Sequence, residues 1–239
     1  MAEDQYHRLD GIRLFKGFDA DWLRGIERQC RWRSCARDEK ILNRDHDDSD
    51  VYFVTLGSVL IVNFSQSGRE IALARIAAGS YFGELAAIDG GLRSASVVAL
   101  EPCVVGALKP AVFHDIVTHD PTLSARLMRR LARIIRTSDD RIMDLSTLGA
   151  HQRVYLELLR LSEADPDDSK ALIIGPMPAQ KDIASQASTT RETVTRAISQ
   201  LVADGIAERR KKVLYVHDRL RFEHLATALD PDWGEESVR

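Results

Sequence analysis

The chain lacks the features that would mark it as a secreted or membrane protein. Its 239 residues include only three cysteines, too few for the disulfide framework of a small secreted domain. No apolar run approaches the roughly 20 residues of a membrane span, and the N-terminal sequence MAEDQYHRLDGIRLF has no apolar core of signal-peptide length. Cys30 and Cys35 do not have the paired spacing of a zinc site. We therefore expect a cytoplasmic protein with reduced thiols, no bound metal and no membrane contact.

A large excess of charge of one sign is also lacking. The net charge is -3 at pH 7, with 29% charged and 44% hydrophobic residues, which is ordinary for a soluble protein with a real core. Any surface for nucleic acid must therefore be local. Between residues 176 and 222 there are nine Lys and Arg residues against five Asp and Glu residues. This concentration of positive charge is the electrostatic pattern expected of a DNA-binding module.

The first half of the chain predicts a small all-β domain preceded by helix. Residues 8–30 have apolar side chains at roughly helical spacing, and Asp19 is a candidate N-cap. From residue 31 to 108, short β-branched and aromatic runs alternate with Gly and Asp turns, which indicates an antiparallel barrel or jelly roll. The predicted strands are 40–42, 51–56, 59–64, 70–76, 94–100 and 103–108.

A long helix follows, with Asp120 as the predicted N-cap and Pro121 as its first residue. Its apolar residues recur at alternating steps of four and three, which is typical of a coiled-coil dimer contact. The alternative is a helix that packs only on its own barrel. Ser138, next to Asp139, is a polar interruption that could set the register or touch a ligand. The seam comprises Leu127, Leu131, Ile134, Ser138, Arg141, Leu145 and Leu148, widened by Ile135 and Ile142.

The last third predicts a helix-turn-helix. A helix at 149–162, a loop at 163–170 and a short strand within 171–177 precede two helices at 178–187 and 190–202, joined by a turn at Ser188-Thr189. A basic turn and a strand at 213–216 suit a wing. The second helix is predicted to bury Val194, Ile198, Leu201 and Val202 and to expose Arg191, Glu192, Thr195 and Arg196, where base edges are read.

The stretch Gly83 to Ala95, GELAAIDGGLRSA, has the composition of an anion site. Its glycines let backbone N–H groups approach an anion closely. Arg93 offers a planar fork of donors to phosphate oxygens, and Ser94 adds a hydroxyl. Glu84 would repel a phosphate, so its natural partner is a donor such as a ribose 2′-OH. A cyclic nucleotide presents both groups on one rigid face; the alternative is a surface hairpin with an ordinary Glu–Arg pair.

Together these features resemble the CRP/FNR superfamily of bacterial transcription regulators, and most closely its cyclic AMP receptor branch. The resemblance spans nearly the whole chain and rests on FGEL and RSA at 82–85 and 93–95 and on RETVTR at 191–196. It implies an α+β protein. An N-terminal double-stranded β-helix, or jelly roll, would bind a cyclic nucleotide, a long helix would mediate dimerisation, and a winged helix-turn-helix would end the chain. The implied segments are 1–119, 120–148 and 149–226, with a tail at 227–239.

The resemblance also implies partners and residue roles. The protein would be a homodimer that binds near-palindromic double-stranded DNA in response to cyclic AMP and/or cyclic GMP, with RNA polymerase as a further partner. The residues assigned to the cyclic nucleotide are Gly83, Glu84, Leu85, Arg93, Ser94, Ser138 and Asp139. Those assigned to DNA are Thr190, Arg191, Glu192, Thr193, Thr195 and Arg196, with Arg and Glu suited to base edges and Thr190 and Thr193 to phosphates.

Ser138 and Asp139 depart from the family pattern, in which a Thr-Ser pair contacts the base. A carboxylate can accept hydrogen bonds from both N1–H and the 2-amino group of guanine, whereas adenine offers only its 6-amino donor in comparable reach. We therefore expect cyclic GMP to be accepted alongside cyclic AMP or in preference to it. The alternative is a solvated Asp139 that does not touch the base.

Other classes of protein fit the sequence less well. An enzyme would need a general base and usually a metal cluster near the phosphate, and Asp89 is the only other acid in the stretch 83–95. A regulatory subunit that controls a partner protein would not need the basic helix-turn-helix. An iron–sulfur sensor needs about four cysteines, and a haem sensor would draw on His7, His46, His114 or His119. We therefore predict a regulator without enzymatic activity.

Overall fold

The computed structural model describes residues 6–65, 68, 70–166, 168 and 171–227. Contacts divide the chain into two compact units, Met1–Ile134 and Ile135–Arg239, so the division falls within the long helix. The sequence-based segments 1–119, 120–148 and 149–226 remain a prediction. The predicted tail lies outside the described residues after residue 227. No helix in the described ranges is long and apolar enough to cross a membrane.

The N-terminal unit is built on two four-stranded antiparallel sheets, which confirms the predicted jelly-roll type of fold. Its strands are β1 (Arg31–Cys35), β2 (Lys40–Leu42), β3 (Val51–Leu56), β4 (Ser58–Phe64), β5 (Glu70–Ala77), β6 (Ser80–Phe82), β7 (Ser96–Ala99) and β8 (Cys103–Leu108). One sheet has the order β1-β8-β3-β6 and the other β2-β7-β4-β5. All pairings are antiparallel.

Two strands of this unit were not predicted, and one is shorter than predicted. β1 reads Arg-Trp-Arg-Ser-Cys and buries only its last residue, so it lacks the apolar alternation that identifies a strand. β6 has three residues and begins directly after the turn at Gly79. The strand predicted at 94–100 covers only Ser96–Ala99.

The helices of the N-terminal unit begin at the predicted caps. α1 (Ala20–Glu27) follows a 3-10 turn at Arg13–Phe15, and the Asp19 side chain accepts hydrogen bonds from the first backbone N–H groups of α1. Asp120 caps α4 (Pro121–Thr147) in the same way, accepting from the backbone N atoms of Thr122 and Leu123 at 2.7 and 3.0 Å. Both caps confirm the sequence analysis. Two further helices, α2 (Glu84–Asp89) and α3 (Pro110–His119), were missed.

The core of the N-terminal unit lies on both faces of β3. Val51 and Phe53 belong to one apolar cluster, together with Phe113 of α3 and Leu127 of α4. Tyr52 and Val54 point to the opposite face, because successive strand residues alternate, and they belong to a second cluster. The sheets therefore hold the residues around position 50 rigidly from two sides.

The C-terminal unit combines four helices with a small sheet. Its helices are α5 (Ala150–Arg160), α6 (Gln180–Gln186), α7 (Arg191–Ala203) and α8 (Arg219–Thr227), and its strands are β9 (Glu163–Ala164), β10 (Leu172–Ile174), β11 (Ala207–Arg210) and β12 (Val213–Val216). The sheet order is β11-β12-β10-β9, and β11 and β12 form the predicted wing. The loop predicted at 163–170 is wrong at its start, because β9 pairs there with β10.

The buried face of α7 agrees with the prediction except at one residue. Val194, Ile198 and Leu201 are buried, whereas Val202 is 42% exposed, so its predicted inward position is wrong. Ala197 is buried instead, at the i+3 position from Val194. Positions i, i+3, i+4 and i+7 form the apolar stripe of a surface helix, and Val202, at i+8, lies at the margin of that stripe.

Candidate functional site

The candidate ligand site is the segment that joins β6 to β7. Gly83 follows the last residue of β6, is the N-cap of α2 and has a left-handed φ of 85°. A Cβ atom there would lie 2.6 Å from Nη1 of Arg93 and 2.9 Å from the carbonyl oxygen of Asp50. Only glycine fits both this conformation and this contact. In this structure the group that approaches the backbone at Gly83 is the Arg93 side chain, and the close approach of an anion to Gly83 stays a prediction.

Arg93 is the central side chain of the site, with only 2% of its side chain exposed. Its Nη1 donates to the carbonyl oxygen of Gly83 at 2.9 Å, and its Nη2 donates to the carbonyl oxygen of Asp50 at 2.6 Å. Nε of Arg93 is buried and has no hydrogen-bond partner among the described residues. A buried charged donor without a partner is rare and costly. The site therefore has a cationic donor that an anion could satisfy.

Asp48 is the internal counter-charge of Arg93, with its Oδ2 3.2 Å from Nη2. The Tyr52 hydroxyl donates to Oδ2 at 2.9 Å, and the backbone N of Asp50 donates to Oδ1 at 2.9 Å. Burial raises the pKa of Asp48, but these hydrogen bonds and the Arg93 charge outweigh it and hold the pKa below its usual value. Asp48 is therefore a carboxylate at neutral pH. Asp48 was not predicted as part of the site, because the run Asp47-Asp48-Ser49-Asp50 has the composition of a surface turn.

Glu84 is also buried, with 5% of its side chain exposed, and it pairs with an arginine of α4. Nε of Arg130 lies 3.1 Å from Oε1 of Glu84. The same guanidinium donates to the carbonyl oxygen of Tyr81 at 2.6 Å and lies 4.2 Å from the centroid of the Tyr81 ring. Burial, opposed by the Arg130 charge, raises the pKa of Tyr81 to about 12. Arg130 was missed, although a buried acid at position 84 requires a basic partner somewhere in the chain.

Five of the seven predicted ligand residues lie in the segment that joins β6 to β7, and the other two lie on α4. The five are Gly83, Glu84, Leu85, Arg93 and Ser94, of which Ser94 is exposed and Leu85 is 40% exposed. Ser138 and Asp139 are exposed residues of α4. A carboxylate, an arginine and a hydroxyl on one short segment can serve a ligand that carries both an anionic group and hydroxyl donors.

The second candidate site is the N-terminal part of α7. Thr190 caps the helix, and its Oγ1 accepts from the backbone N of Thr193 at 3.2 Å. Arg191, Glu192 and Arg196 are exposed. Hydrogen bonds from its own backbone N–H and from the Thr190 hydroxyl hold the pKa of Glu192 below its usual value, so it presents a carboxylate. This surface therefore carries the forked donors and the acceptor that can read base edges.

Thr193 and Thr195 occupy more local roles than predicted for DNA contacts. The Oγ1 atoms of Thr190 and Thr193 lie 3.1 Å apart at the start of α7. Oγ1 of Thr195 lies 3.0 Å from the carbonyl oxygen of Arg191 and 3.0 Å from Oε1 of Gln180. Since a hydroxyl has one proton, Thr195 donates to one of these acceptors at a time. Its assignment to DNA remains a prediction.

Two arginines that precede α7 in the chain hold the turn between α6 and α7. Arg141 of α4 donates to Oγ of Ser188 at 2.9 Å, and Arg153 of α5 donates through Nε to the carbonyl oxygen of Ala187 at 3.0 Å. Ser188 has a left-handed φ of 50°. Arg141 was predicted to lie in the apolar seam, whereas its side chain is half-buried and directed to this turn. An arginine at an otherwise apolar heptad position was the signal for such a partner.

A basic cleft of about 790 Å³ lies beside α7. Lys181 and Arg191 line it from α6 and α7, and Arg209 and Lys212 line it from the wing. Arg210 lies outside this lining. Its Nε and Nη2 atoms donate to Oε1 and Oε2 of Glu208 at 2.9 and 2.7 Å, so its charge is already paired. The cleft thus places four cationic side chains beside the start of α7, and such a group of charges can bind a phosphate backbone. In the described part of the chain, no cluster of three or more His, Cys, Asp or Glu residues could hold a metal ion.

Comparison with known proteins agrees with this geometry. The model of the cyclic nucleotide-binding domain matches residues 32–120, and that of the Crp-like helix-turn-helix domain matches residues 152–225. The chain is 30% identical over 181 residues to the cyclic AMP receptor protein of Thermus thermophilus, covering 75% of this chain and 80% of that protein. It belongs to the CRP/FNR family.

Solved structures of this family share the fold. FixK2 from Bradyrhizobium japonicum, at 24% identity, matches with a TM-score of 0.65 over 84% of this chain and 99% of that one. A CRP-family transcriptional regulator from Thermus thermophilus, at 26% identity, matches with a TM-score of 0.62 over 83% of this chain and 98% of that one. The CRP/FNR relatives are transcription regulators and not enzymes. The chain is accordingly a DNA-binding transcription regulator with a cyclic nucleotide-binding domain.

Proposed function

We propose that this CRP/FNR regulator is a homodimer that binds DNA sequence-specifically in response to a cyclic nucleotide. The observation that carries the proposal is the buried Nε of Arg93, a cationic donor without a partner among the described residues. The cyclic phosphate would accept from Arg93 and Ser94, beside the backbone of Gly83. The ribose 2′-OH would donate to Glu84, whose carboxylate Arg130 already orients. Cyclic AMP and cyclic GMP share both groups.

The dimer would form through α4. Ile135, Ile142 and Met143 are each 60% exposed, and Leu145 is 45% exposed, although all four are large apolar side chains. Such residues at heptad-like spacing on a long helix are expected to pack against the same residues of a second copy. Their exposure supports the dimer over the alternative raised by the sequence, a helix packed only on its own barrel.

For the base, we propose that Ser138 and Asp139 are the contacts and that cyclic GMP is accepted. Both residues are exposed on α4 and so are accessible to a ligand. Calorimetric titration with both nucleotides tests this proposal. Cyclic GMP should bind within about 100-fold of cyclic AMP, a difference of about 2.7 kcal/mol, and Asp139→Asn should weaken cyclic GMP selectively. An unchanged ratio in Asp139→Asn would assign base recognition to other residues.

The response would be a shift between two arrangements of the dimer, because a ligand changes an equilibrium only through contacts that differ between its states. In the active arrangement the two α7 helices would enter successive major grooves, about one helical turn apart, so the DNA site would be near-palindromic. Arg191, Glu192 and Arg196 would contact bases, and Thr190 and Thr193 phosphates. We propose the cytoplasm as the location and RNA polymerase as a further partner.

The decisive experiment measures DNA binding with and without cyclic nucleotide. Arg93→Ala should abolish the ligand response. At saturating protein concentration, this variant should still select the same DNA sequence as the original protein. Arg191→Ala should keep ligand binding and lose discrimination at about one base pair, costing roughly 1–3 kcal/mol. Lys212→Ala in the wing is the matched control, since losing a phosphate contact weakens all sequences equally. Ligand-dependent DNA binding by Arg93→Ala would contradict the proposed site.

A further inference from the structure

Cys35 and Cys103 lie opposite each other on the neighbouring strands β1 and β8 of the N-terminal unit. They are the last paired residues of the antiparallel ladder between β1 and β8. Directly opposed residues of antiparallel strands have Cα atoms about 4.5–5.5 Å apart, which lies inside the range of about 4.4–6.8 Å that a disulfide spans. A hydrogen bond between the two thiols is the largest cause of the pKa shift of each. The backbone thus needs little movement to bring the sulfur atoms into bonding distance.

The hydrogen bond makes the two thiols unequal. It lowers the pKa of Cys35, although burial opposes this, and the positive charge of Arg33 lowers it further. The same bond, together with burial, raises the pKa of Cys103, which keeps its proton. Glu39, at the other end of the turn, acts in the opposite direction on Cys35. Cys35 is therefore the more acidic thiol of the pair, and the thiolate is the form of a cysteine that reacts with oxidants.

The pair is buried but lies at a point where the sheet can open. Cys35 and Cys103 are 3% and 2% exposed. β1 is the outer strand of its sheet, and the residues that flank the pair, Ala36 and Pro102, are exposed. The end rung of an edge strand separates at a small free-energy cost compared with the centre of a sheet. A small oxidant can therefore reach the thiols without global unfolding.

We propose that Cys35 and Cys103 are a redox modification site that hydrogen peroxide converts into a reversible cross-strand disulfide. The Cys35 thiolate attacks one peroxide oxygen, the O–O bond breaks, and Cys35 becomes a sulfenic acid while the other oxygen leaves as water after taking up a proton. Cys103 then attacks the Cys35 sulfur, the S–S bond forms and the sulfenic hydroxyl leaves as a second water with the Cys103 proton. Two thiols lose two electrons and the peroxide gains them.

Cys30 supplies an internal control. It is a buried thiol of the other apolar cluster in the same unit. Burial, followed by the nearby charge of Glu27, raises its pKa to about 12. A thiol of this kind reacts slowly with peroxide. Because all three cysteines are buried, the proposal requires peroxide to oxidise Cys35 and Cys103 and to spare Cys30.

The test treats the folded full chain with hydrogen peroxide, alkylates it in denaturant and maps its peptides without reduction. The expected product has one peptide that joins Cys35 to Cys103 and lacks two hydrogen masses, Cys30 alkylated in most of the chains, and full recovery with dithiothreitol. Cys30→Ser should behave like the original protein. In Cys103→Ser the reaction should stop at a sulfenic acid on Cys35, which dimedone traps.

Three results would overturn the proposal. The first is equal oxidation of all three cysteines in the folded chain. The second is a disulfide between two chains in place of the internal one. The third is absence of the joined peptide at peroxide concentrations that oxidise the unfolded chain completely. Unchanged near-UV circular dichroism in Cys30→Ser and Cys103→Ser verifies that each variant keeps the fold, so that a negative result counts against the proposal.

Discussion

The ion pair between Arg130 and Glu84 offers the sharpest test of how α4 supports the ligand site. In Arg130→Met the helix keeps a long apolar side chain but loses its charge. The substitution removes the 3.1 Å contact to Glu84 and the hydrogen bonds to Oγ of Ser80 at 3.2 Å and to the Tyr81 carbonyl at 2.6 Å. The Glu84 side chain, which is 5% exposed, stays behind without its counter-charge.

The magnitude follows from this burial. Removing one partner of a buried pair costs about 3–5 kcal/mol, because the remaining charge is uncompensated. For a unit of this size that loss lowers the midpoint of thermal unfolding by about 10–20 °C. In the double variant Arg130→Met/Glu84→Gln the buried charge is gone as well, so the loss should be much smaller. The coupling energy between the two positions should be about 2–3 kcal/mol.

Tryptophan fluorescence reports on the relevant unit. Trp22 and Trp32 belong to the N-terminal unit, and replacing Trp233 by Phe in every variant removes the signal from the remaining tryptophan. Arg129→Met is the matched control, since Arg129 is an exposed neighbour on the same helix and should leave the midpoint nearly unchanged. A coupling energy below about 0.5 kcal/mol would refute the reasoning, as would an equal loss in the Arg129 variant.

Other substitutions test the remaining features. Gly83→Ala should reduce cyclic nucleotide binding at least about tenfold, or by about 1.4 kcal/mol, because its Cβ would displace the Arg93 guanidinium; calorimetry measures it. Arg141→Met should leave nucleotide binding intact and weaken DNA binding, measured by fluorescence anisotropy, because the turn at Ser188 loses its anchor. Ile142→Glu should turn the proposed dimer into a monomer in sedimentation velocity, because like charges would meet where two copies of α4 are proposed to pack.

Each of these has a control of matched chemistry. Gly25→Ala lies in α1, where an added Cβ meets nothing within 4 Å, and it should leave nucleotide binding unchanged. Arg136→Met and Ser146→Glu are substitutions at exposed positions of α4 and should leave DNA binding and dimerisation unchanged. A dimer that persists in Ile142→Glu would place the association surface elsewhere. Full DNA affinity in Arg141→Met would mean that the turn holds its shape without that arginine.

Local sequence signals predicted most of the fold. The caps at Asp19 and Asp120 were readable because a cap needs only an acceptor beside the first free N–H groups. Most strands were readable from alternation and turn residues. β1 escaped because only its last residue is buried, which leaves no apolar alternation, and because its pairing with β8 joins residues far apart in the chain. A pairing of that kind leaves no pattern in the local sequence.

The residues of the candidate site that would contact the ligand were predictable, but the residues that pair with them were not. Gly83, Glu84, Arg93 and Ser94 were identified because their chemistry fits one ligand. Asp48 and Arg130, which pair with Arg93 and Glu84, lie 45 and 46 positions away along the chain. Only the folded sheets and α4 bring these charges together. Val202 was misplaced for a related reason, since helical periodicity defines the centre of a buried stripe better than its margin.

The edge strand β1 has a consequence for solubility. An outer strand presents unpaired backbone groups to which another chain can add. On β1 the side chains of Arg31 and Arg33 point outward, each within 2.5 Å of a carboxylate, Asp50 for the first and Glu39 for the second. A strand that docked there would have to bury or displace these charges. This side of the sheet is therefore protected against fibre-like growth, and copies of the chain are directed to associate through other surfaces.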